Sequence, residues 1–161
     1  MNTNERGIGL RIVISVLMGL VFSIVPLPAA IDAGRPDLLL LLIIYWSLVA
    51  PRVAGLLFAW ACGFAIDVLK GVLLGQQAAG FLLVAFLTHR LQLRMRVFPI
   101  WHQAATVLML LALYQFLMFW IDGIVGHPVT TWKRWIPVLT GALIWPLLIA
   151  VMDSLSRRRR N

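Results

Sequence analysis

The chain of 161 residues is 61% hydrophobic and only 12% charged, against about a quarter charged in an ordinary soluble domain, which excludes a water-facing globular fold. Its net charge of +8 does not point to nucleic acid, because the basic residues stand at the ends of apolar runs, where they meet lipid headgroups. The composition is that of an integral membrane protein, and its one cysteine, Cys62, has no intrachain disulfide partner.

Crossing about 30 Å of hydrocarbon takes about 20 helical residues, and the apolar runs predict six spans, near 10–29, 37–50, 53–69, 72–89, 99–121 and 136–153. In the first, Arg11, the run Ile12 to Val25 and the small residues Ala29 and Ala30 imitate a secretory signal peptide; we read the segment as a retained span. Ser15, Gly19 and Ser23 form a small-residue stripe along it that admits close approach of another helix, from this chain or from a partner.

The second span opens at Arg35-Pro36-Asp37, with Pro36 expected at the first helical position and Asp37 in the first turn. Its face from Leu38 to Trp46, including Tyr45, is expected to be exposed to a partner helix. A tight turn at Ala50-Pro51-Arg52-Val53 then separates it from the third span. Fusing the two would leave Arg52 in mid-membrane, at a cost of at least ~2.5 kcal/mol.

The third span carries Gly63 and Asp67, with Lys70 at its end, and Gly71 and Gly75 are expected to straddle a sharp reversal into the fourth. Trp101 and Trp120 bracket the fifth span, while Trp132 and Trp135 precede the sixth, all placed as interfacial anchors. A basic tail, 154–161, closes the chain and suits headgroup binding.

With six spans, one side holds Arg6, Arg11, Arg52, Arg90, Arg94, Arg96 and Arg157 to Arg160, and the other only Arg35, Lys70, Lys133 and Arg134. Cytoplasmic loops are enriched in Lys and Arg, so both termini are expected in the cytoplasm. The loops are too short to form domains, which leaves a single transmembrane domain over 1–161.

Chemistry is sparse. His89 and His102 fall in one connection and His127 in a loop on the other side, so no His, Cys and carboxylate cluster has metal-ligand spacing. Glu5, Asp32, Asp37, Asp122 and Asp153 flank the span ends, leaving Asp67 as the candidate buried carboxylate, about 21 Å along its helix from the cytoplasmic side. One reading makes it a structural acid, paired with Lys70 or hydrogen-bonded to the turn at Gly71. The other places it in an external-side pocket with Gln76, Gln77 and Asp122. A lone carboxylate with no second acid or nucleophile in register argues against an enzyme, and no metal or cofactor is expected.

Several stretches resemble one family over nearly the whole chain: "RPDLLLLLIIYW" at 35–46, the turn at Pro51 and Arg52, "GFAIDVLKGVLLG" at 63–75, "LQLRMRVFPIWHQA" at 91–104, "FWIDGIV" at 119–125 and "GALIWPLL" at 141–148, which contains Trp145 and Pro146. In combination and order these are similar to MreD, the rod-shape-determining membrane proteins of bacteria. The resemblance implies an all-α fold of six transmembrane helices like the S-components of energy-coupling-factor transporters. It implies a non-enzymatic scaffold of the cell-elongation machinery in the inner membrane. The partners it implies are MreC, the MreB filaments, the glycosyltransferase RodA and a class B penicillin-binding transpeptidase. The alternative is a small-molecule or lipid binder of the S-component type.

Overall fold

The computed structural model describes residues 3–26, 28, 34–126 and 132–157. Asp32, His127 and Arg158 to Arg160 lie outside the described residues. Among those described, the protein is all-helical: α1 (Thr3–Ile24), α2 (Leu38–Val49), α3 (Leu56–Lys70), α4 (Gln76–Val97), α5 (Ile100–Val125), a 3-10 turn (Trp132–Trp135) and α6 (Ile136–Arg157). Helices α1, α5 and α6 are long and apolar enough to cross a membrane, and α2 is a shorter apolar helix.

The start of α2 differs from expectation by a residue or two. Asp37 is not in the first turn but is the N-cap, its carboxylate accepting the Leu40 N–H at 3.2 Å, and Pro36 lies outside the helix. The reason is that an Asp just ahead of a helix can satisfy one of the free first-turn amides, which a Pro at that place cannot. The reversal after α2 falls where the Pro-Arg pair predicts it, with the Val53 and Ala54 amides both donating to the Ala50 carbonyl.

Helix α2 is the axis of the molecule. Every residue from Leu39 to Leu48 is buried, against α1, α4 and α6, while α3, α4, α5 and α6 pack each on the next in chain order. Its sequence, LLLLLIIYWSLV, has no polar stripe, and a helix that is apolar all round belongs in an interior. Tyr45 and Trp46, expected on a free aromatic face, are therefore core residues, each about 5% exposed. Trp46 Nε1 donates to Ser15 Oγ on α1 at 2.8 Å, and the Tyr45 hydroxyl donates to the Asp153 carboxylate on α6 at 3.2 Å.

Close approach explains the small residues. A Cβ at Gly19 would lie 3.1 to 3.3 Å from Leu42 and Leu39 of α2, so the stripe on α1 faces this chain's own second helix. At Gly80 on α4 it would meet the Tyr114 ring of α5 at 2.6 Å, and at Gly141 on α6 the Leu111 side chain at 2.7 Å. In lipid, where tails are as apolar as Leu, such backbone contact is what holds helices together. The outer surface is correspondingly apolar, with Leu17, Met18, Leu57, Met109 and Leu143 exposed.

Candidate functional site

The motif around Asp67 resolves first. Gly71, in the left-handed region at φ 62°, ends α3, and Gly75, at φ 97°, precedes α4. Both conformations are open to glycine at little cost. The reversal brings the first amides of α4 over the Asp67 side chain, which accepts from Gly75 N at 2.9 Å, Gln77 N at 3.0 Å and Ala78 N at 3.3 Å. A fully buried carboxylate is thus spent on the free N–H groups and positive dipole end of the next helix. Gly63, one turn earlier, clears the way: a Cβ there would lie 2.5 Å from Ala78 Cα.

Of the alternatives open for Asp67, the carboxylate meets the amides after the glycine turn rather than Lys70. Lys70 is exposed and makes no ion pair with Asp67, because three amides already surround the carboxylate. Nor does Asp67 line a pocket; it lies beneath one.

That cavity, of about 630 Å³, opens at the end of the bundle where α1, α3 and α5 finish and α2, α4 and α6 begin. Its charged lining is Arg35, Asp37, Lys70, Asp122 and Arg134, joined by Gln76, Gln77, Tyr114 and Gln115, with Ser23 to Pro26 and Val72 among its other lining residues. Most of these groups hold one another. Asp122 on α5 accepts from Gln76 Nε2 at 2.7 Å and forms an ion pair with Arg134 of the 3-10 turn. The Tyr114 hydroxyl donates to Gln77 Oε1 at 2.6 Å. Arg35 donates from Nη1 to the Val25 carbonyl at 3.0 Å and lies over the Phe22 ring, tying the α1 exit to the α2 entry. Thr140 on α6 donates to the Gly34 carbonyl at 3.0 Å.

Gln76, Gln77 and Asp122, expected as one polar cluster, come together in the structure. Tyr114, Gln115 and Arg134 join them unannounced by the apolar pattern. The available signal was a pair of uncharged polar residues, Tyr114-Gln115, interrupting the apolar run of α5. Of the other signature residues, Trp145 is fully buried on α6 beside Pro146, whose missing N–H falls inside that helix. Cys62 is a free, buried thiol. Among the described residues no three His, Cys, Asp or Glu side chains come together as a metal site.

The opposite end is basic. Arg96 donates from Nε to the Leu48 carbonyl at 3.0 Å, with a second contact from Nη2, and so caps the C-terminus of α2. His89 Nε2 donates to the Ala54 carbonyl at 3.2 Å, pinning α4 to the turn between α2 and α3. Arg52, Arg90 and Arg94 are exposed there.

A sequence model of the family described as rod shape-determining protein MreD matches residues 5–155. The chain belongs to the MreD family. A relative from Haemophilus influenzae, itself named rod shape-determining protein MreD, is 20% identical over 142 residues, covering 88% of each chain. No solved structure matches the chain significantly. Membership of the MreD family and the three long apolar helices together identify a membrane protein of the rod-shape-determining class. Within this family member the Gly63-Asp67-Gly71-Gly75 register is the joint between α3 and α4.

Proposed function

We propose that this MreD-family chain is a non-enzymatic scaffold of the bacterial inner membrane that binds MreC and helps control side-wall peptidoglycan synthesis and rod shape. All six helices are inserted, with both termini cytoplasmic. MreB filaments, RodA and a class B penicillin-binding transpeptidase are further partners in this reading. The distribution of Lys and Arg supports the orientation, since Arg11, Arg52, Arg90, Arg94 and Arg96 are at the end opposite the cavity. Helix α2, whose 12 residues rise only about 18 Å, needs no full hydrophobic length because protein, not lipid, surrounds it.

The observation that carries the scaffold reading is α1. It packs through one face on α2 and leaves Leu10, Val13, Leu17, Met18 and Val21 exposed, a lateral surface at the edge of the bundle. A partner helix bound there would act by stabilising one conformation of the partner over another. Photocrosslinking residues placed at Leu17 and Val21 should capture MreC, while one at buried Leu41 should not. Capture from neither α1 position, with the complex intact, overturns this choice of face. Reporter fusions at the two ends test the orientation, and a C-terminus outside the cytoplasm contradicts it.

A further inference from the structure

Helix α3 is short on a side that faces outward. Its 15 residues rise about 22 Å, against about 30 Å of hydrocarbon. Helix α2 is shorter still, but protein surrounds it. On α3, by contrast, Leu57 is 83% exposed, and Trp60, Ala61, Phe64 and Val68 continue an exposed face along the helix. Hydrogen bonds fix where the shortfall lies. At the cavity end the first amides of α4 are level with Asp67 of α3, so the two helices begin and finish together there. At the other end His89 of α4 holds the turn before α3 through the Ala54 carbonyl. From His89, α4 runs on for eight residues, about 12 Å, to Val97. The missing length of α3 is therefore a notch beside α4, at the end of the bundle away from the cavity.

The notch is basic. Arg52 in the turn and Arg90 and Arg94 on α4 are exposed at this end. Between residues 38 and 125 the sequence holds two acids, Asp67 and Asp122, and both are engaged at the cavity end, so no carboxylate of α2 to α5 balances these arginines. The Arg90 guanidinium lies over the half-exposed ring of Phe86, 5.3 Å from its centroid, one turn back toward the middle of the bundle. Arg90 is 14 residues, about 21 Å, along α4 from Gln76, which in a flat bilayer of full thickness would hold its charge in hydrocarbon, away from headgroups. A lipid-facing helix shorter than the bilayer is met by local thinning, and thinning here brings phosphates to the arginines. We propose that the leaflet at this end thins beside α3 and that anionic phospholipid headgroups fill the notch, held by Arg52, Arg90 and Arg94, with acyl chains along Leu57 and Trp60. This rests on the reading that all six helices are inserted, and not on MreC.

The test uses the full chain with Cys62→Ala and one nitroxide, attached through Leu57→Cys, Ala61→Cys or Val151→Cys, in bilayers of dioleoylphosphatidylglycerol or dioleoylphosphatidylcholine. The readout is the rate of collision with a water-soluble nickel chelate. Leu57 is 13 residues, about 20 Å, from Lys70 at the cavity end, and Val151 is 15 residues, about 22 Å, from Ile136 on α6, so in a flat bilayer Leu57 is the deeper of the two. In phosphatidylglycerol the label at Leu57 should instead collide at least about threefold more often than that at Val151, with Ala61, one turn deeper on the same face, shielded. Arg52→Gln with Arg90→Gln, or the change to phosphatidylcholine, should bring Leu57 down to the level of Val151, whereas Arg52→Lys with Arg90→Lys should not. Equal shielding at Leu57 and Val151 in phosphatidylglycerol overturns the notch and leaves the inserted helices standing. Accessibility at Leu57 that is the same in both lipids, or in the Gln double variant, overturns the headgroup site. Free collision at Ala61 as well as Leu57 removes α3 from the membrane, which contradicts the six-helix reading and this proposal with it. Arg52 and Arg90 are exposed, and elution as the wild-type monodisperse peak confirms that each variant is folded.

Discussion

Three backbone amides converge on the Asp67 carboxylate, so the residue is judged by what its removal leaves behind. Asp67→Ala strands buried N–H groups at the start of α4 and should destabilise the protein by about 3 kcal/mol or more, the upper range for removing a charged acceptor. Asp67→Asn keeps one oxygen but turns an NH2 toward the donors, and should cost about 1–3 kcal/mol. Thermal unfolding in detergent orders the two variants, and an Ala variant as stable as wild type would remove Asp67 from its structural role. The glycines make a paired prediction. Gly63→Ala places a Cβ 2.5 Å from backbone that cannot yield and should cost about 1–3 kcal/mol. Gly9→Ala on α1 meets nothing within 4 Å and should be neutral or stabilise by up to about 1 kcal/mol through helix propensity.

Helices in this protein are joined by a few specific contacts, because apolar burial distinguishes protein from lipid only weakly. The α1–α2 contact has two: the close approach at Gly19 and the Ser15–Trp46 hydrogen bond. Gly19→Leu should pry the helices apart, seen as a larger fall in the thermal unfolding midpoint than Ser15→Ala gives. Ser15→Ala should cost about 1 kcal/mol, since it leaves the Trp46 indole N–H buried without its acceptor; a larger loss than Gly19→Leu would reverse the ranking of packing over hydrogen bonding. The joints at the ends of α2 differ in kind. Asp37 caps its start from within the chain's own local sequence, whereas Arg96, nearly fifty residues on, closes its C-terminus. The first was foreshadowed by Arg-Pro-Asp, though not its exact register; the second had no sequence signal, because a cap supplied from another helix leaves no local pattern.

At the scale of the whole molecule the charges segregate to the two ends, and the end holding the cavity is tied by the Asp122–Arg134 pair and the Gln76–Asp122 bond across α4, α5 and the 3-10 turn. Removing one partner leaves the other charge without compensation in a half-buried place, so Asp122→Ala should lose more stability than the double variant Asp122→Ala/Arg134→Ala, by about 1–2 kcal/mol. Additive losses in the double-mutant cycle would show the pair to be energetically silent. Composition, the spacing of apolar runs and the placement of Lys and Arg were enough to establish a helical membrane protein, the order of its six segments and the tight turns at Pro51 and Gly71, because hydropathy and turn chemistry are local properties of the chain. They did not reveal that the second helix is the interior one: Tyr45 and Trp46 read the same against lipid as against protein, and only packing on three neighbours separates the cases. Nor did they assemble the cavity, whose polar side chains come from segments up to a hundred residues apart, or place Asp67 beneath it. The same register of glycines and aspartate that the sequence displayed as a motif becomes, once α3 and α4 are folded together, a carboxylate closed over three amides.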